Sequence, residues 1–170
     1  MGTAAAPFLP AGVPAPSFSL TAVASGRRID NATCVGKALV LVFHDQTTLD
    51  APRDVNTALR ETYDIDRVII ASCVDLSAAP RFLHGLIKRF MRQAYQRGAA
   101  YVPADQDPAD YVLILPDWEG AVSRAFRIPR GGAAVVVVDP AGRFAGGAHR
   151  SSLGSAARQL VEQVWHDSNQ

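Results

Sequence analysis

Polar side chains that could take part in catalysis or metal binding follow two apolar runs of the sequence. The first run is followed by His44, Asp45, Thr47, Thr48 and Asp50, and the second ends in Cys73 and Asp75. A cysteine and a histidine that lie close together can act as thiolate and base, or can bind a soft metal. A free cysteine that ends an apolar strand more often behaves as a small buried hydrophobic residue. We favour this second interpretation for Cys73, and iodoacetamide labelling of the native protein separates the two.

The three aspartates of these segments raise the alternative of a cation pocket. Asp50, however, stands directly before a predicted helix, and Asp75 precedes the approach to the next one, positions at which aspartate caps a helix. We therefore predict helix caps and no metal site. His84 and His166 fall on helix faces that are expected to be exposed, and we interpret both as surface residues.

The chain contains only two cysteines, Cys34 and Cys73. Structural zinc sites need four ligands at short spacings, and the sequence offers no such set. Cys34 precedes the first buried strand and Cys73 ends the second, so parallel pairing puts them at opposite ends of the sheet. A strand of about seven residues at about 3.3 Å each separates them by roughly 20 Å, whereas a disulfide needs Cα atoms within about 7 Å. We predict no disulfide.

Two buried strands and the helix between them must position these side chains. The runs KALVLVFH (37–44) and RVIIASCVD (67–75) are almost wholly apolar, which is typical of strands covered on both faces. Between them, Asp50 and Pro52 mark the start of an amphipathic helix. A strand, a helix and a strand in this order predict a right-handed crossover between parallel neighbours. Ligands gather at the carboxyl ends of such strands.

The remaining elements complete a single α/β domain. A turn at Ser25 and Gly26 predicts an N-terminal β-hairpin over 17–33, and 81–98 is the clearest amphipathic helix, with Gly98 as its stop. The further predictions are a loop at 99–110, a strand at 111–116, a helix at 117–128 that begins at Asp117, a hairpin of 133–139 and 143–148, and a helix at 151–166. This order predicts a mixed sheet with helices on both faces. We expect a flexible arm at 1–15, a domain at 16–166 and a tail at 167–170.

The helix at 81–98 carries a strong positive charge. It has five basic residues and no acidic one, so its charge is +5, while the whole chain carries +1 and the remainder −4. The basic residues are Arg81, Lys88, Arg89, Arg92 and Arg97. The apolar stripe is Phe82, Leu83, Leu86, Ile87, Phe90, Met91, Ala94 and Tyr95, and we expect this stripe to pack on the sheet. The basic face is either solvated or a docking surface for an anionic partner, an acidic protein or a layer of lipid headgroups.

Length and composition set the remaining limits. With 170 residues and 48% apolar composition, the chain is large enough for one domain with a proper core. A net charge of +1 and a basic face without interleaved aromatic residues give little support for nucleic-acid binding. The sequence contains no run of about 20 apolar residues, so it predicts no membrane span. The start MGTAAAPFLPAGVPAP lacks the basic and apolar regions of a secretory signal. We therefore expect a cytoplasmic protein without a cofactor.

Four segments together resemble the redoxin branch of the thioredoxin fold, which includes the alkyl hydroperoxide reductase/thiol-specific antioxidant type of peroxiredoxin and the membrane-tethered thiol reductases. These segments are GVPAPSFSL, GKALVLVFH, VLILPDWEGAVSRAFRIP and AAVVVVDPAGRFAGG, which occur in the family's order and span about 12–166. The resemblance implies a thioredoxin-like three-layer sandwich with a mixed central sheet, helices on both faces and an N-terminal β-hairpin.

The redox positions of the family hold other residues in this chain. When Phe43 is aligned with the aromatic residue that ends the family's strand, Thr48 and Ala51 stand where the resemblance implies two cysteines, and Ala133 stands where it implies a cis-proline. A thiolate at a helix N-terminus gains backbone hydrogen bonds and a favourable dipole. A threonine hydroxyl there stays un-ionised and forms no disulfide. The sequence therefore predicts a degenerate member of the family without dithiol exchange.

The function that we predict is a binding, scaffolding or accessory-subunit role. It uses the face on which the redoxin family binds substrate (the old substrate face), the basic face of the helix at 81–98, or both. A protein is the expected partner, and peripheral membrane contact is the other option. The alternative is a single-thiol oxidoreductase or peroxidase-like enzyme that uses Cys73, with His44 and Thr48 as further catalytic candidates. Self-association through 135–138 is a third option if that strand forms an uncovered edge. The sequence leaves the oligomeric state and the identity of the partner open.

Overall fold

The computed structural model describes residues 8–150 and 152–170 of the chain. Its strands are β1 (Ser19–Thr21), β2 (Arg28–Asp30), β3 (Ala38–His44), β4 (Val68–Asp75), β5 (Ile114–Asp117), β6 (Ala134–Val138) and β7 (Phe144–His149). Its helices are α1 (Ala51–Arg60), α2 (His84–Ala99), α3 (Pro108–Tyr111), α4 (Ala121–Ala125) and α5 (Leu153–Asp167). A 3-10 turn at Arg81–Leu83 leads directly into α2.

The central sheet has five strands in the order β5-β4-β3-β6-β7. β4 pairs in parallel with both β3 and β5, whereas β6 is antiparallel to both β3 and β7. The first two strands, β1 and β2, form a separate antiparallel hairpin. The mixed sheet, the parallel crossover and the N-terminal hairpin that the sequence predicts are thereby confirmed.

Apolar side chains cover both faces of the central sheet. One face packs against the hairpin and α4, with Phe18 and Phe126 in the contact. The opposite face packs against α1 and α5, with Val55 and Val161 in the contact. Successive residues of a strand point to opposite faces, so a strand that is buried on both sides has to be apolar at nearly every position. This explains the unbroken apolar run of β3, which is buried from Ala38 through Phe43.

Residues 135–138 lie inside the sheet and form no edge. They pair with β3 on one side and with β7 on the other, and each is at most 4% exposed. The option of self-association through an uncovered strand at 135–138 is therefore wrong. An apolar run reports that a strand is buried, but it does not report which neighbour covers it.

Several element boundaries differ from the sequence prediction. The predicted loop at 99–110 contains the start of α3, where the Asp107 side chain accepts a hydrogen bond from the N–H of Ala109 at 3.0 Å. Asp117 ends β5 instead of beginning a long helix, and the helix is only the short α4. Gly98 lies inside α2 and does not stop it, and a Cβ atom at this position would come within 3.2 Å of Val112. The close approach of Val112 accounts for a glycine at this point.

Backbone hydrogen bonds attach residues 12–15 to the start of β7. The N–H of Gly12 donates to the carbonyl oxygen of Phe144, and the N–H of Phe144 donates to that of Val13, both at 2.8 Å. Ala15 donates to Gly142 at 2.9 Å. The first part of the predicted arm, residues 1–7, lies outside the described residues. At the other end, α5 extends to Asp167.

Candidate functional site

The carboxyl ends of β3, β4 and β5 meet at one edge of the sheet because the three strands are parallel. In register, His44 lies beside Val74, and Asp75 lies beside Asp117. The loop from β3 to α1, with Thr48, starts at the same edge. Ligands bind at this edge in open α/β sheets. The structure thus brings together the polar segments that follow the two apolar runs.

Asp45 organises the loop between β3 and α1. Its Oδ1 accepts hydrogen bonds from the N–H of Thr47 at 2.8 Å, from the Thr47 hydroxyl at 2.7 Å and from the Thr48 hydroxyl at 3.1 Å. The Thr48 hydroxyl oxygen also accepts the N–H of Asp45 at 3.1 Å. These hydrogen bonds, that of the Thr47 hydroxyl most of all, lower the pKa of Asp45 below its ordinary value. An ionised Asp45 therefore stabilises this shape of the loop at neutral pH.

Ala51 begins α1, and Thr48 lies three residues before it. Ala51 is the first residue of α1, and its N–H donates to the Thr48 carbonyl oxygen at 3.2 Å. Asp50 occupies the N-cap position, as predicted, but its side chain makes no capping hydrogen bond. The prediction of an Asp50 cap is therefore right about the position and wrong about the interaction, because Asp45 binds the loop instead.

Ala133 lies beside the end of β3. Ala134 pairs with Phe43 in the antiparallel register of β6 and β3, which puts Ala133 next to His44. The two glycines before Ala133 have φ of +76° and +84°, a left-handed backbone that glycine adopts without strain. None of the described residues has a cis peptide bond. The position that the resemblance gives to a cis-proline thus holds a buried alanine.

Cys73 is buried inside the sheet, where it pairs in register with Phe43. Its exposed fraction is 0%. Burial raises the pKa of the Cys73 thiol well above its ordinary value, and the carboxylates of Asp117 and Asp75 add to the effect. Cys34 is also free and buried, and burial raises the pKa of its thiol as well. Both thiols are therefore protonated at neutral pH and shielded from reagents.

His44 and Cys73 point to opposite faces of the sheet. Phe43 and Cys73 both pack in the core against the hairpin and α4. His44 follows Phe43 in β3, so its side chain points to the other face. The hypothesis that Cys73 and His44 cooperate as thiolate and base is therefore wrong. The His44 ring is half-buried with Nδ1 3.3 Å from the carbonyl oxygen of Asp45, and burial lowers its pKa.

Asp117 is a buried carboxylate whose role the sequence pattern did not indicate. It is 2% exposed, and its Oδ2 accepts hydrogen bonds from the N–H groups of Val122 and Ser123, both at 3.1 Å. Asp117 therefore caps α4 from the end of the preceding strand. An ordinary N-cap residue binds the N–H group two or three positions after itself. The spacings here are five and six residues, so a search for caps in the sequence places the helix start too early.

The aspartates of the two crossovers do not form a cation pocket. Asp75 accepts hydrogen bonds through Oδ1 from the N–H and the hydroxyl of Ser77, at 2.9 and 2.7 Å, and so closes a turn. It does not cap α2, which begins only at His84. Within residues 8–150 and 152–170, no three His, Cys, Asp or Glu side chains lie close enough together to hold a metal ion.

α2 buries far less of its apolar stripe than the periodicity predicts. Met91 is buried, whereas Phe82, Leu86 and Phe90 are 83%, 48% and 58% exposed. At about 100° per residue, the eight apolar positions spread over about 220° of the helix circumference, so one packed side leaves the other uncovered. The expectation that the whole stripe packs on the sheet is wrong. We call Phe82, Leu86 and Phe90 the α2 ridge.

The basic residues around the α2 ridge are exposed to solvent. They are the five predicted from the sequence, Arg81, Lys88, Arg89, Arg92 and Arg97. The Lys88 Nζ atom lies 5.5 Å from the centroid of the Trp118 ring. His84 stacks on Trp118 with ring centroids 4.2 Å apart and is half-buried, so its assignment to the surface is wrong. His166 is exposed, as predicted.

Solved structures share this arrangement of elements over almost their whole length. The exposed lipoprotein thioredoxin Etrx1 of Streptococcus pneumoniae superimposes with a TM-score of 0.65 at 15% identity, over 87% of this chain and 99% of that one. The fold is that of thioredoxin. A putative thiol:disulfide interchange protein DsbE from Chlorobium tepidum superimposes with a TM-score of 0.63 at 18% identity, over 92% and 98% of the two chains. BsSco, of the Sco family of cytochrome c oxidase assembly proteins, gives 0.63 at 10% identity, over 95% and 97%.

No family model and no curated protein matches the sequence. At these identities the solved structures establish the thioredoxin fold and nothing narrower. The thioredoxin fold that the four sequence segments imply is thereby confirmed, while the alkyl hydroperoxide reductase-like grouping stays a prediction. In the part of the chain that the structure describes, no helix has the length and apolar character needed to cross a membrane.

Proposed function

We propose that this chain is a thioredoxin-fold protein that binds a partner and does not carry out dithiol exchange. The proposal is carried by the start of α1, where Ala51 is the first residue and Thr48 precedes it by three, because the resemblance to redoxins implies the reactive thiols at these two positions. In these terms the chain is a degenerate redoxin, similar to the peroxiredoxin group through its four sequence segments. A scaffolding or accessory-subunit role follows from the same proposal.

The chemistry of dithiol exchange requires sulfur at the start of α1. A disulfide forms and breaks through attack by a thiolate on sulfur, and a hydroxyl and a methyl group offer neither partner. The only cysteines of the chain, Cys34 and Cys73, are buried and have raised pKa values. Both facts support a protein without redox turnover and count against a single-thiol enzyme that uses Cys73.

The surface that supports a binding role is the α2 ridge with the basic residues beside it. Rows of exposed apolar side chains on a soluble domain mark interaction sites. At the old substrate face, by contrast, the hydroxyls of Thr47 and Thr48 are already hydrogen-bonded to Asp45. We propose an anionic partner, because α2 with its leading turn carries +5, and a cytoplasmic location, where free cysteines persist.

Two assays with the purified protein test the absence of redox turnover. We expect neither the wild type nor the Cys73→Ser variant to accelerate the dithiothreitol-driven precipitation of insulin, or to consume hydrogen peroxide faster than a control without protein. Turnover that disappears in the Cys73→Ser variant would support the single-thiol enzyme and refute the proposal. Turnover that persists in this variant would refute it too, because the chain would then reduce its substrate by a route that the proposal denies.

A further inference from the structure

α2 and its leading turn divide their surface into three strips. One strip packs on the domain through Met91, which is buried, and through half-buried Ile87. The second strip is the α2 ridge, whose members are four residues apart and so form a row about 12 Å long. The third strip is basic, and it continues onto the ridge, because Arg89 follows Leu86 by three residues and Arg97 follows Phe90 by seven.

The attachment of α2 leaves this outer side uncovered. His84 stacks on Trp118 near one end of the helix, and Gly98 meets Val112 near the other. Leu86 and Phe90 face solvent between these two contacts, Phe82 faces solvent just before the first, and Tyr101, directly beyond the helix, is 84% exposed. Large apolar side chains that stay in water forfeit the free energy that burial would supply. Three such side chains in a row therefore indicate that another surface binds over them and removes them from water.

The charge distribution decides what covers the ridge. Residues 81–98 include no acidic side chain, so nothing on this helix repels phosphate. The rest of the chain carries −4 and is repelled by an anionic surface, which turns α2 toward that surface. A row of phenylalanine and leucine on a convex helix needs no complementary pocket if it enters the headgroup region of a bilayer. Arginine and lysine then reach the lipid phosphates beside it.

We propose that α2 is an interfacial helix that docks this domain on an anionic lipid bilayer, with the α2 ridge inserted among the headgroups. The inference rests on the proposed function, since it names the partner of the same surface. Anionic lipids of the cytoplasmic leaflet attract basic residues close to the membrane. The domain lies on the membrane surface and does not cross it.

Co-sedimentation with vesicles tests this docking. The vesicles are phosphatidylcholine alone or phosphatidylcholine with about 30% phosphatidylserine, a fraction that gives a strongly anionic surface. We expect binding to the anionic vesicles and little to the neutral ones. Raising the salt from about 0.05 M to about 0.5 M should weaken binding at least tenfold, since screening shortens the reach of the charges. The double variant Phe82→Ser, Phe90→Ser should bind at least about 30-fold more weakly, because two inserted rings are lost.

Matched variants separate docking from a general loss of charge or apolar surface. Val35 is 73% exposed and lies outside α2, so Val35→Ser should leave vesicle binding unchanged. Arg89→Gln should weaken binding, whereas Arg130→Gln removes the same charge from an exposed loop position and should have little effect. All five positions are exposed, so the substitutions leave the core intact, and circular dichroism verifies the fold.

Two outcomes would overturn the inference. The first is no binding to anionic vesicles at low salt, and retention on immobilised polyglutamate in that case would assign the surface to an acidic protein. The second is equal binding of the wild type and the ridge variant. Each of these outcomes leaves the proposed absence of thiol exchange standing, because the insulin and peroxide assays measure it separately.

Discussion

Introducing thiols at the start of α1 tests whether the geometry there would allow dithiol exchange. The N–H of Ala51 donates to the carbonyl oxygen of Thr48 at 3.2 Å, which closes a four-residue turn. The Cα atoms at the ends of such a turn lie within about 7 Å of each other, and disulfides join Cα atoms about 4.4–6.8 Å apart. We therefore expect the double variant Thr48→Cys, Ala51→Cys to form an intramolecular disulfide under mild oxidation and to gain insulin-reducing activity.

Asp45 should lower the insulin-reducing activity of this double variant. Its Oδ1 lies 3.1 Å from the Thr48 hydroxyl oxygen, so a thiolate at position 48 would face a carboxylate. Two unit charges about 4 Å apart repel by about 1 kcal/mol in water and about 4 kcal/mol at an effective dielectric constant of about 20. Because Asp45 is exposed, we take the lower part of this range, which raises the thiol pKa by about one unit. Adding Asp45→Asn should lower the thiol pKa by the same amount.

The rate of iodoacetamide alkylation as a function of pH measures this thiol pKa in the single variant Thr48→Cys, with and without Asp45→Asn. The native cysteines are buried and contribute no background. Insulin precipitation compares the double variant with the triple variant that also carries Asp45→Asn, and the triple variant should be several-fold faster at pH 7. The reasoning is refuted if the double variant forms no intramolecular disulfide, or if Asp45→Asn leaves the thiol pKa unchanged.

Three further predictions concern buried side chains and the packing of helical glycines. Both native cysteines should resist iodoacetamide in the folded protein and react in denaturant, and rapid labelling of the native protein would disprove their burial. Asp117→Ala leaves two N–H groups of α4 without their acceptor and should destabilise the fold by about 2–4 kcal/mol, measured by urea unfolding; Asp117→Asn, which keeps an acceptor oxygen, should cost less. Gly154→Ala should destabilise it by about 1–3 kcal/mol, since a Cβ atom there would lie 2.9 Å from a backbone oxygen of α1. Gly85→Ala meets no atom within 4 Å and should stabilise it by up to about 1 kcal/mol, so equal effects of the two glycine substitutions would contradict the packing argument.

The sheet was predictable because burial on both faces leaves a plain trace in the sequence. β3 and β4 need apolar side chains on both faces, so nearly every residue of each strand is apolar. Such unbroken apolar runs can be recognised in the sequence without any knowledge of the neighbouring strands. The right-handed crossover then determines that they pair in parallel. Their neighbours were harder to place. Residues 135–138 have the same kind of run, and only β7, a strand with two glycines in its middle, shows that they are not an edge.

The candidate site was predictable in position and unpredictable in detail. The resemblance to redoxins was enough to place Thr48 and Ala51 at the start of α1. It could not reveal that Cys73 shares a face with Phe43 and not with His44, since a shift of one residue in a strand reverses the side on which a side chain lies. The sequence also does not predict which hydrogen bonds a loop carboxylate accepts, because several N–H groups lie within reach of each carboxylate.

α2 shows how a correct helix prediction can still be wrong about which apolar side chains are buried. Periodicity identified the helix and its apolar positions, but the side that is buried depends on where α3 and Trp118 lie. Met91 is buried, whereas Phe82 and Phe90 are exposed to solvent. An apolar stripe that spreads over more than half of a helix therefore predicts one buried side and a second apolar surface in solvent.

The fold accommodates Thr48 and Ala51 at the start of α1, so the architecture needs no thiols at these two positions. Ala51, the first residue of α1, packs its methyl group in the core on that face of the sheet, and the Thr48 hydroxyl donates a hydrogen bond to Asp45. Neither residue leaves a cavity or an unpaired polar group of the kind that destabilises a core. Stability comes instead from the two apolar layers on the sheet, which do not include the α2 ridge. Substitutions in the ridge should therefore change the free energy of unfolding little, so that the vesicle assay isolates their effect on the docking that we propose for this surface.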